Sequence, residues 1–250
     1  MPLGYNFSFM PARVSLFVTC LVDQFFPRVG LAMAEVLERL GYRVEFPEAQ
    51  TCCGQPAFNT GYREEARCVA RHFLSVFADA DYIVAPSGSC TSMIACHYEE
   101  LFRRDPAALS EVRRLKPRLW EFSQFLLQVA GVEDVGARLP AVVTYHDSCH
   151  ALRELGIREG PRRLLARVRE LQLREMPAGA ECCGFGGTFS VKFPEISASM
   201  VRAKIEAIRQ TGADYVVSVD VSCLMQIQGA LNRAGLPVGT LHLAEVLARQ

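Results

Sequence analysis

Short apolar runs alternate with helix-length amphipathic segments along the first half of the chain. Runs rich in β-branched and aromatic residues occupy residues 13–19, 42–47 and 81–86, and the helical segments between them occupy residues 27–40 and 62–79. Strands separated by helices in this way are typical of β-α-β units with parallel strands and right-handed crossovers. The pattern therefore predicts an α/β protein with helices on both faces of a parallel sheet.

The same pattern returns in the second half of the chain. Predicted strands occupy residues 141–146, 171–177 and 214–220, with helical segments at residues 160–170 and 194–211. Each half continues into another helix and then an apolar closing helix, which are predicted at residues 90–102, 119–131, 223–235 and 241–250. We interpret the chain as an internal duplication of two Rossmann-like parallel-sheet units.

Glycine and proline interrupt the pattern between residues 130 and 140, which indicates a boundary between the two units. The predicted division is an N-terminal extension at residues 1–12, a first unit at residues 13–135 and a second unit at residues 136–250. The first residues lack the pattern of a secretory signal, and no apolar run reaches the roughly 18 residues that span a membrane. We therefore expect a cytoplasmic protein without a membrane span.

Composition and charge narrow the classes of function. The 250 residues contain 27 Lys and Arg against 27 Asp and Glu, so the chain lacks the basic field that nucleic acids require. Half of the residues are hydrophobic, which is sufficient for a core that needs no disulfides. Ten cysteines in a protein expected in a reducing compartment therefore indicate metal binding or redox chemistry.

Eight of the ten cysteines lie just beyond predicted strands, four in each unit. In both units one cysteine follows the first strand, an adjacent pair follows the second and one follows the third. The first cysteine set is Cys20, Cys52, Cys53 and Cys90, and the second cysteine set is Cys149, Cys182, Cys183 and Cys223. Parallel sheets bind ligands at the carboxyl ends of their strands, so the four thiols of each set are expected to converge there. Of the other two, Cys68 is expected to be a buried structural thiol, and Cys96 a core residue or a spare ligand.

The spacing within each set helps to choose between metal centres. Four thiolates suit tetrahedral zinc or an iron–sulfur cluster. The gaps on either side of each cysteine pair lie between 32 and 40 positions, whereas zinc knuckles keep their ligands a few residues apart. This wide spacing favours a larger inorganic cluster. Gly54 and Gly184 follow the pairs, and glycine allows backbone N–H groups to approach bound thiolates.

At this point the chain resembles a known family, the CCG cysteine-rich domain, which has a cysteine, a Cys-Cys-Gly motif and a final cysteine at wide spacing. The match is carried by the segments SLFVTCLVD, CCGQPAFNTG, YHDSCHALRELG and CCGFGGTFSVKFPEIS. The domain occurs in heterodisulfide reductase, in the iron–sulfur subunit of glycolate oxidase and in a subunit of anaerobic glycerol-3-phosphate dehydrogenase. The short stand-alone form looks most like the lactate utilization protein A family, also called the LutA/YkgE family.

The resemblance implies an iron–sulfur protein that transfers electrons in the oxidation of L-lactate to pyruvate. It implies one or two 4Fe–4S clusters per chain, bound by the two cysteine sets. The four-thiolate chemistry by itself also keeps zinc open as the occupant of one site. The resemblance also implies partner oxidoreductase subunits, namely a ferredoxin-type iron–sulfur protein and a third lactate-utilization protein. The chain would then be a non-autonomous subunit of a dehydrogenase complex for L-lactate or another 2-hydroxy acid. Met93 and Gln226 stand where the heterodisulfide reductase form has a further cysteine, which weakens direct disulfide-cleaving chemistry.

Three polar residues beside Cys149 are candidates for a supporting role. His146, Asp147 and His150 flank this cysteine, and the resemblance marks them as motif positions. We expect them to surround the second site, where an N–H group would donate a hydrogen bond to a cluster sulfur or the group would tune the cluster potential, as residues around metal ligands do. The alternative is that Asp147 or Ser148 only caps the following helix.

Two other functions remain compatible with the sequence. The first is a thiol–disulfide redox protein, in which a Cys-Cys pair cycles through a disulfide. The second is a zinc-stabilised scaffold that organises partner subunits, which the lack of an obvious acid–base constellation supports. Iron, sulfide and zinc content would distinguish these functions from electron transfer.

Overall fold

The computed structural model describes residues 12–177 and 179–250. All but the last residue of the N-terminal extension predicted at residues 1–12 therefore lies outside the described residues. In the described part the chain forms two sheets, each of four parallel strands. The strands are β1 (Arg13–Leu16), β2 (Arg43–Glu45), β3 (Tyr82–Ala85), β4 (Leu119–Glu121), β5 (Arg138–Tyr145), β6 (Arg169–Leu173), β7 (Tyr215–Ser218) and β8 (Gly239–His242).

Helices connect and cover the strands. They are α1 (Cys20–Phe25), α2 (Pro27–Arg39), α3 (Gln55–Thr60), α4 (Arg63–Val76), α5 (Gly88–Ser92), α6 (Tyr98–Leu101), α7 (Pro106–Leu115), α8 (Phe122–Gln124), α9 (Cys149–Arg153), α10 (Glu159–Leu165), α11 (Thr188–Lys192), α12 (Pro194–Thr211), α13 (Val221–Arg233) and α14 (Leu243–Ala248). A π-helical turn at Met93–His97 joins α5 to α6, another at Phe125–Val129 extends α8, and a 3-10 turn at Lys116–Arg118 precedes β4. None of the helices in the described ranges is long and apolar enough to cross a bilayer.

Both sheets have the same strand order. The first is ordered β2-β1-β3-β4 and the second β6-β5-β7-β8. Val14 on β1 pairs with Val44 and with Tyr82. Val143, which lies 129 positions after Val14, pairs in the same way with Tyr215 on β7. This equivalence confirms the predicted duplication of Rossmann-like parallel units.

The long helices that precede β3 and β7 also correspond to each other. Each buries one face whose residues are spaced three and four apart, as an amphipathic helix requires. The buried face of α4 consists of Ala66, Ala70, Phe73 and Leu74. The buried face of α12 has the same spacing and includes Ser197, Val201, Lys204 and Ile205. The two faces are related by 131 positions in the sequence.

The ends of several elements differ from the predictions. The closing segments at residues 119–131 and 241–250 are not helical throughout, because β4 ends at residue 121 and β8 at residue 242 before their helices begin. Both strands are only three or four residues long, and runs this short do not distinguish a strand from a buried helix. The strand predicted at residues 171–177 begins earlier, at Arg169, because the helix before it ends at Leu165.

The two halves share one core. A single cluster of buried apolar side chains includes residues of β1, β3, β5 and β7. Helix α14 of the second half packs against α2 of the first, where the Arg39 guanidinium donates hydrogen bonds to the carbonyls of Val135 (3.1 Å) and Ala248 (2.9 Å). An antiparallel bridge joins Ser87 to Asp220 in the turns after β3 and β7. The carboxyl ends of the two sheets therefore meet.

Candidate metal centre

All eight cysteines of the two sets line one cavity. Its volume is about 330 Å³, and it lies where the carboxyl ends of the two sheets meet. The cysteine pairs lie in the loops after β2 and β6, and the other four cysteines lie in the first turns of helices. Helix α1 begins at Cys20 and α9 begins at Cys149, while α5 contains Cys90 and α13 contains Cys223. Convergence within each set agrees with the sequence, but the sharing of one cavity could not be foreseen from it.

Each set has two buried and two half-buried thiols. The buried thiols are Cys53, Cys90, Cys183 and Cys223, and the half-buried thiols are Cys20, Cys52, Cys149 and Cys182. In the first set the Sγ atoms of the half-buried cysteines lie 3.8 Å apart. All of these cysteines carry free thiols. Each set can thus anchor a metal centre at depth and keep one edge of it near the cavity.

A glycine after each cysteine pair brings a backbone N–H group to a sulfur. The distance from Gly54 N to Cys52 Sγ is 3.4 Å, and that from Gly184 N to Cys182 Sγ is also 3.4 Å. Both glycines have a φ of +83°, a left-handed conformation that other residues rarely adopt. A Cβ atom on Gly184 would lie 2.7 Å from the carbonyl oxygen of Ser197. The two Cys-Cys-Gly motifs therefore depend on glycine for their sulfur contacts.

The first cysteine of each pair is the more acidic thiol. The pKa of Cys52 falls to about 3, chiefly because the Cys20 thiol donates a hydrogen bond to its sulfur and Cys53 donates another. The pKa of Cys182 falls to about 2, with Cys149 as its main donor. The hydrogen bond to Cys52 and burial raise the pKa of Cys20. Thiolates at these positions are in the ionisation state that metal ligation requires.

Two of the predicted histidines lie beside the second cysteine set. His146 is fully buried, and one of its ring nitrogens and the Sγ atoms of Cys183 and Cys223 all lie within 4.8 Å of one another. The pKa of Cys223 falls to about 6 because Cys183 donates a hydrogen bond and His146 lies close by. His150 is on α9, and its Nδ1 atom lies 3.6 Å from Cys149 Sγ. Two imidazoles therefore approach the second set from different elements.

Asp147 has a different environment from the two histidines. Its carboxylate forms a two-pronged ion pair with the Arg162 guanidinium, at 2.8 and 2.9 Å. Arg162 also pairs with Glu175 at 2.6 Å and lies over the ring of Tyr145. Ser148 stands at the N-cap of α9, but its side chain makes no capping hydrogen bond. Asp147 thus fixes α10 to the turn that carries Cys149.

Sequence reasoning missed Asp220, a buried carboxylate that joins the two cysteine sets. It accepts hydrogen bonds from the backbone N–H of Ser89 at 2.8 Å and from the hydroxyls of Ser89 (3.2 Å), Ser148 (3.2 Å) and Ser222 (2.9 Å). Each of these serines stands next to a cysteine of a set in the sequence. Asp220 therefore ties together three of the turns that position the sulfurs. Its position in the turn after β7, equivalent to Ser87 after β3, is a sequence signal that could have indicated it.

The two cysteines outside the sets are both exposed. The expectation that Cys68 is buried is wrong, because α4 turns Ala66 and Ala70 toward the sheet and leaves Cys68 on the outer face. Cys96 is not a core residue, since it is exposed within the π-helical turn. Its Sγ atom lies 4.0 Å from the carbonyl oxygen of Glu154, and it is not among the residues that line the cavity.

Comparisons with known proteins agree with this architecture. The profile of the CCG cysteine-rich domain matches residues 14–95 and 143–228, one match in each half. The chain belongs to the CCG cysteine-rich domain family. Within it, Lactate utilization protein A of Geobacillus thermodenitrificans (strain NG80-2) is 52% identical over 235 residues, which are 94% of this chain and 98% of that protein. The protein of the same name from Bacillus cereus (strain B4264) is 49% identical over the same shares. The resemblance seen in the sequence is thereby confirmed.

The fold is also found in a solved structure of low sequence identity. A hypothetical protein from Helicobacter pylori covers 95% of this chain with a TM-score of 0.66 and 12% identity. This chain spans about half, 48%, of the length of that protein. At this identity the likeness shows the fold alone.

The donor sets suit the inorganic groups that thiolate-rich sites bind. Each set of this CCG-family chain presents four sulfurs at one end of a parallel sheet, two of them buried. Thiolates are soft ligands that select zinc or iron–sulfur clusters over hard cations. The clustered cysteines can therefore bind a metal centre.

Proposed function

We propose that the chain is the iron–sulfur subunit of a multi-component oxidoreductase and transfers electrons in the oxidation of L-lactate to pyruvate. The observation that carries this proposal is the pair of four-thiol sets lining one cavity. Relatives that are 52% and 49% identical over nearly their full length carry the name Lactate utilization protein A, which supports this substrate. The proposed ligands of one 4Fe–4S cluster are Cys20, Cys52, Cys53 and Cys90, and those of a second are Cys149, Cys182, Cys183 and Cys223.

The chemistry divides between the bound clusters and the chain. Oxidation of a 2-hydroxy acid to a 2-oxo acid releases two electrons and two protons, and two clusters that each exchange one electron would together accept both electrons. The buried sulfurs would hold the clusters in a site of low dielectric constant, and the half-buried sulfurs would bind them at its more exposed edge. The N–H groups of Gly54 and Gly184 offset the negative charge of the thiolates.

The electron exit is assigned to partner subunits. The sequence contains neither a ferredoxin-type cysteine run nor a Gly-x-Gly-x-x-Gly dinucleotide motif. A ferredoxin-type iron–sulfur protein would supply the exit route, and a third lactate-utilization protein would complete the complex. In this proposal zinc is the alternative occupant of one of the two sites.

Metal analysis of protein purified without oxygen tests the proposal. We expect about four or about eight iron atoms and as many acid-labile sulfides per chain, with an EPR signal after reduction by dithionite. Cys52→Ser/Cys53→Ser should remove the iron of the first site, and Cys182→Ser/Cys183→Ser that of the second. Cys68→Ser, at an exposed position away from the cavity, is the matched control and should leave the iron content unchanged. Zinc without sulfide would contradict the proposal and favour the scaffold function.

The substrate is tested with the loaded protein in the presence of its two partner proteins. L-Lactate should reduce the clusters, and the EPR signal should develop as pyruvate forms. Glycolate, which lacks the methyl group, serves as the comparison substrate. Iron-loaded protein that no 2-hydroxy acid reduces in the complete complex would overturn the assignment to lactate oxidation. A colourless protein that exchanges thiols with disulfides would instead support the thiol–disulfide alternative.

A further inference from the structure

Two positions behind the cysteines differ between the two halves. Phe17 follows β1, and His146 occupies the equivalent position after β5, 129 positions later. Phe73 on the buried face of α4 likewise corresponds to Lys204 on the buried face of α12. In the first half the two phenyl rings contact each other at a centroid distance of 5.0 Å, in the same apolar cluster as Cys53. The second half has an imidazole and an amine at these positions.

The His146 ring is buried, with an exposed fraction of 0%. Within residues 12–177 and 179–250, neither of its nitrogens makes a hydrogen bond of normal geometry, although the ring lies close enough to Cys223 to lower the pKa of that thiol. Buried polar atoms in folded proteins are nearly always paired, so an unpaired buried imidazole indicates a group that binds there. The sulfurs of Cys183 and Cys223 lie beside the ring. Together with one ring nitrogen of His146 they form a cluster of three donor atoms that all lie within 4.8 Å of one another. Imidazole nitrogen and thiolate sulfur are donors that iron and zinc accept together.

Lys204 adds positive charge on the same side of the second set. Its exposed fraction is 2%, and its Nζ atom donates a hydrogen bond to the carbonyl of Gly179 at 3.2 Å. Burial lowers the pKa of Lys204, and the fields of the anionic groups Glu181, Cys183, Asp147 and Cys223 act against this shift and favour its charged form. A cation at this depth favours the more negative, reduced form of a nearby metal centre. The two phenyl rings of the first half offer no such stabilisation.

We propose that a ring nitrogen of His146 ligates the metal centre of the second cysteine set as a fifth protein donor beside the four thiolates, and that the first set has no such ligand. The inference rests on the proposed function, since it takes the centre to be an iron–sulfur cluster. It goes further because it makes the two centres chemically different. With a neutral nitrogen donor and the Lys204 charge beside it, the second centre accepts an electron at a more positive potential than the first. Electrons that enter through the cavity then collect at the second centre.

Pulsed EPR of protein labelled with nitrogen-15 histidine tests the ligation. The reduced, iron-loaded chain should show strong coupling to a histidine nitrogen, recognised by its isotope dependence. The Cys52→Ser/Cys53→Ser variant, which retains only the second centre, should keep this coupling. The Cys182→Ser/Cys183→Ser variant should lose it. In a potentiometric titration the signal of the second centre should develop at the higher potential.

The matched variants separate the two imidazoles beside the second set. His146→Phe installs the side chain of the first half and should abolish the coupling, while His150→Phe removes the ring near Cys149 and should leave it in place. Loss of the coupling in His150→Phe alone would overturn the proposal. An iron-loaded wild-type chain without histidine coupling would also overturn the proposal. This measurement does not depend on whether His146→Phe folds. A chain that binds no iron–sulfur cluster overturns the proposed function instead, so the two failures are distinguishable.

Discussion

Glu121 and His242 are equivalent capping residues, and their titrations change the stability of the fold with pH in opposite directions. Glu121 ends β4 and caps α8, and His242 ends β8 and caps α14. Both side chains are fully buried. Burial raises the pKa of Glu121 from its ordinary value of 4.5 to about 7, and it lowers the pKa of His242 from 6.5 to about 4. Both residues are therefore neutral in the folded protein near pH 5.5.

The hydrogen bonds agree with these neutral states. The Nδ1 atom of His242 accepts a hydrogen bond from Ala244 N at 3.1 Å, so a proton on this atom would face another donor. The Oε2 atom of Glu121 accepts a hydrogen bond from Ser123 N at 2.8 Å. Its Oε1 atom has no partner in the described part of the chain, so the ionised carboxylate would be only half satisfied.

The two groups shift stability with pH in opposite directions. Above pH 4.5 the unfolded chain releases the glutamate proton that the folded protein retains, so the stabilisation is lost as the pH rises toward about 7. Below pH 6.5 the unfolded chain protonates the histidine that the folded protein keeps neutral, so stability is lost as the pH falls toward about 4. Each difference of about 2.5 in pKa corresponds to about 3 kcal/mol. Between pH 4.5 and 6.5 the two effects cancel in the wild type.

In each single variant the unfolding free energy should therefore depend on pH, because the opposing effect of the other residue no longer cancels. Relative to wild type, Glu121→Gln should gain about 2 kcal/mol of unfolding free energy between about pH 5 and about pH 6.5, and His242→Asn should lose about as much. The measurement is urea unfolding of the metal-free protein at a series of pH values. The double variant is the control and should have the same slope as wild type. Single-variant profiles parallel to that of wild type would refute the reasoning.

Other substitutions test the contacts that position the sulfurs. Asp220→Ala should lower the unfolding free energy by about 3–5 kcal/mol, because it leaves a buried N–H donor without an acceptor. Asp220→Asn keeps an acceptor and should lower it by only about 1–2 kcal/mol. Equal losses of the two variants in urea unfolding would contradict the role of the carboxylate as acceptor. Gly184→Ala should cost about 3 kcal/mol and reduce metal content, whereas Gly54→Ala, whose Cβ would lie 3.4 Å from its nearest atom, should cost about 1 kcal/mol. Equal losses in thermal unfolding and equal iron contents would contradict a role for the clash. Arg162→Leu should cost about 3 kcal/mol because its aspartate partner stays buried, while Arg163→Leu, at an exposed pair, should change the melting temperature little.

Local patterns in the sequence were sufficient for most of the fold. The strand–helix alternation, the duplication and the positions of the eight cysteines beyond strand ends all depend on periodicity and on the rule for parallel sheets. The strands β4 and β8 escaped prediction because three or four residues ahead of an apolar helical segment fit a short strand or the start of that helix equally well. Cys68 was misplaced because an amphipathic helix with small residues on its buried face leaves the side of a cysteine undecided.

The site was less predictable because it depends on how the halves pack. That the two sets share a cavity follows from the packing of α14 on α2 and from the Ser87–Asp220 bridge, and no local pattern encodes either. The buried carboxylate of Asp220 was missed for the same reason, since its donors come from both halves. The difference between Phe17 and His146 was accessible, because a comparison of the two halves position by position places these residues opposite each other.

A comparison of the two halves separates the features that position the sulfurs from those that can change the properties of a bound metal centre. Loops after strands, helix starts and the N–H groups of the two Cys-Cys-Gly motifs belong to the backbone, and they are the same in both halves. A chemical difference between the two centres must therefore come from side chains other than cysteine. Phe17 and Phe73 in the first half, and His146 and Lys204 in the second, are buried pairs that meet this condition. Replacing one pair by the other leaves every proposed cysteine ligand in place, so it changes the properties of a centre without removing the residues that assemble it.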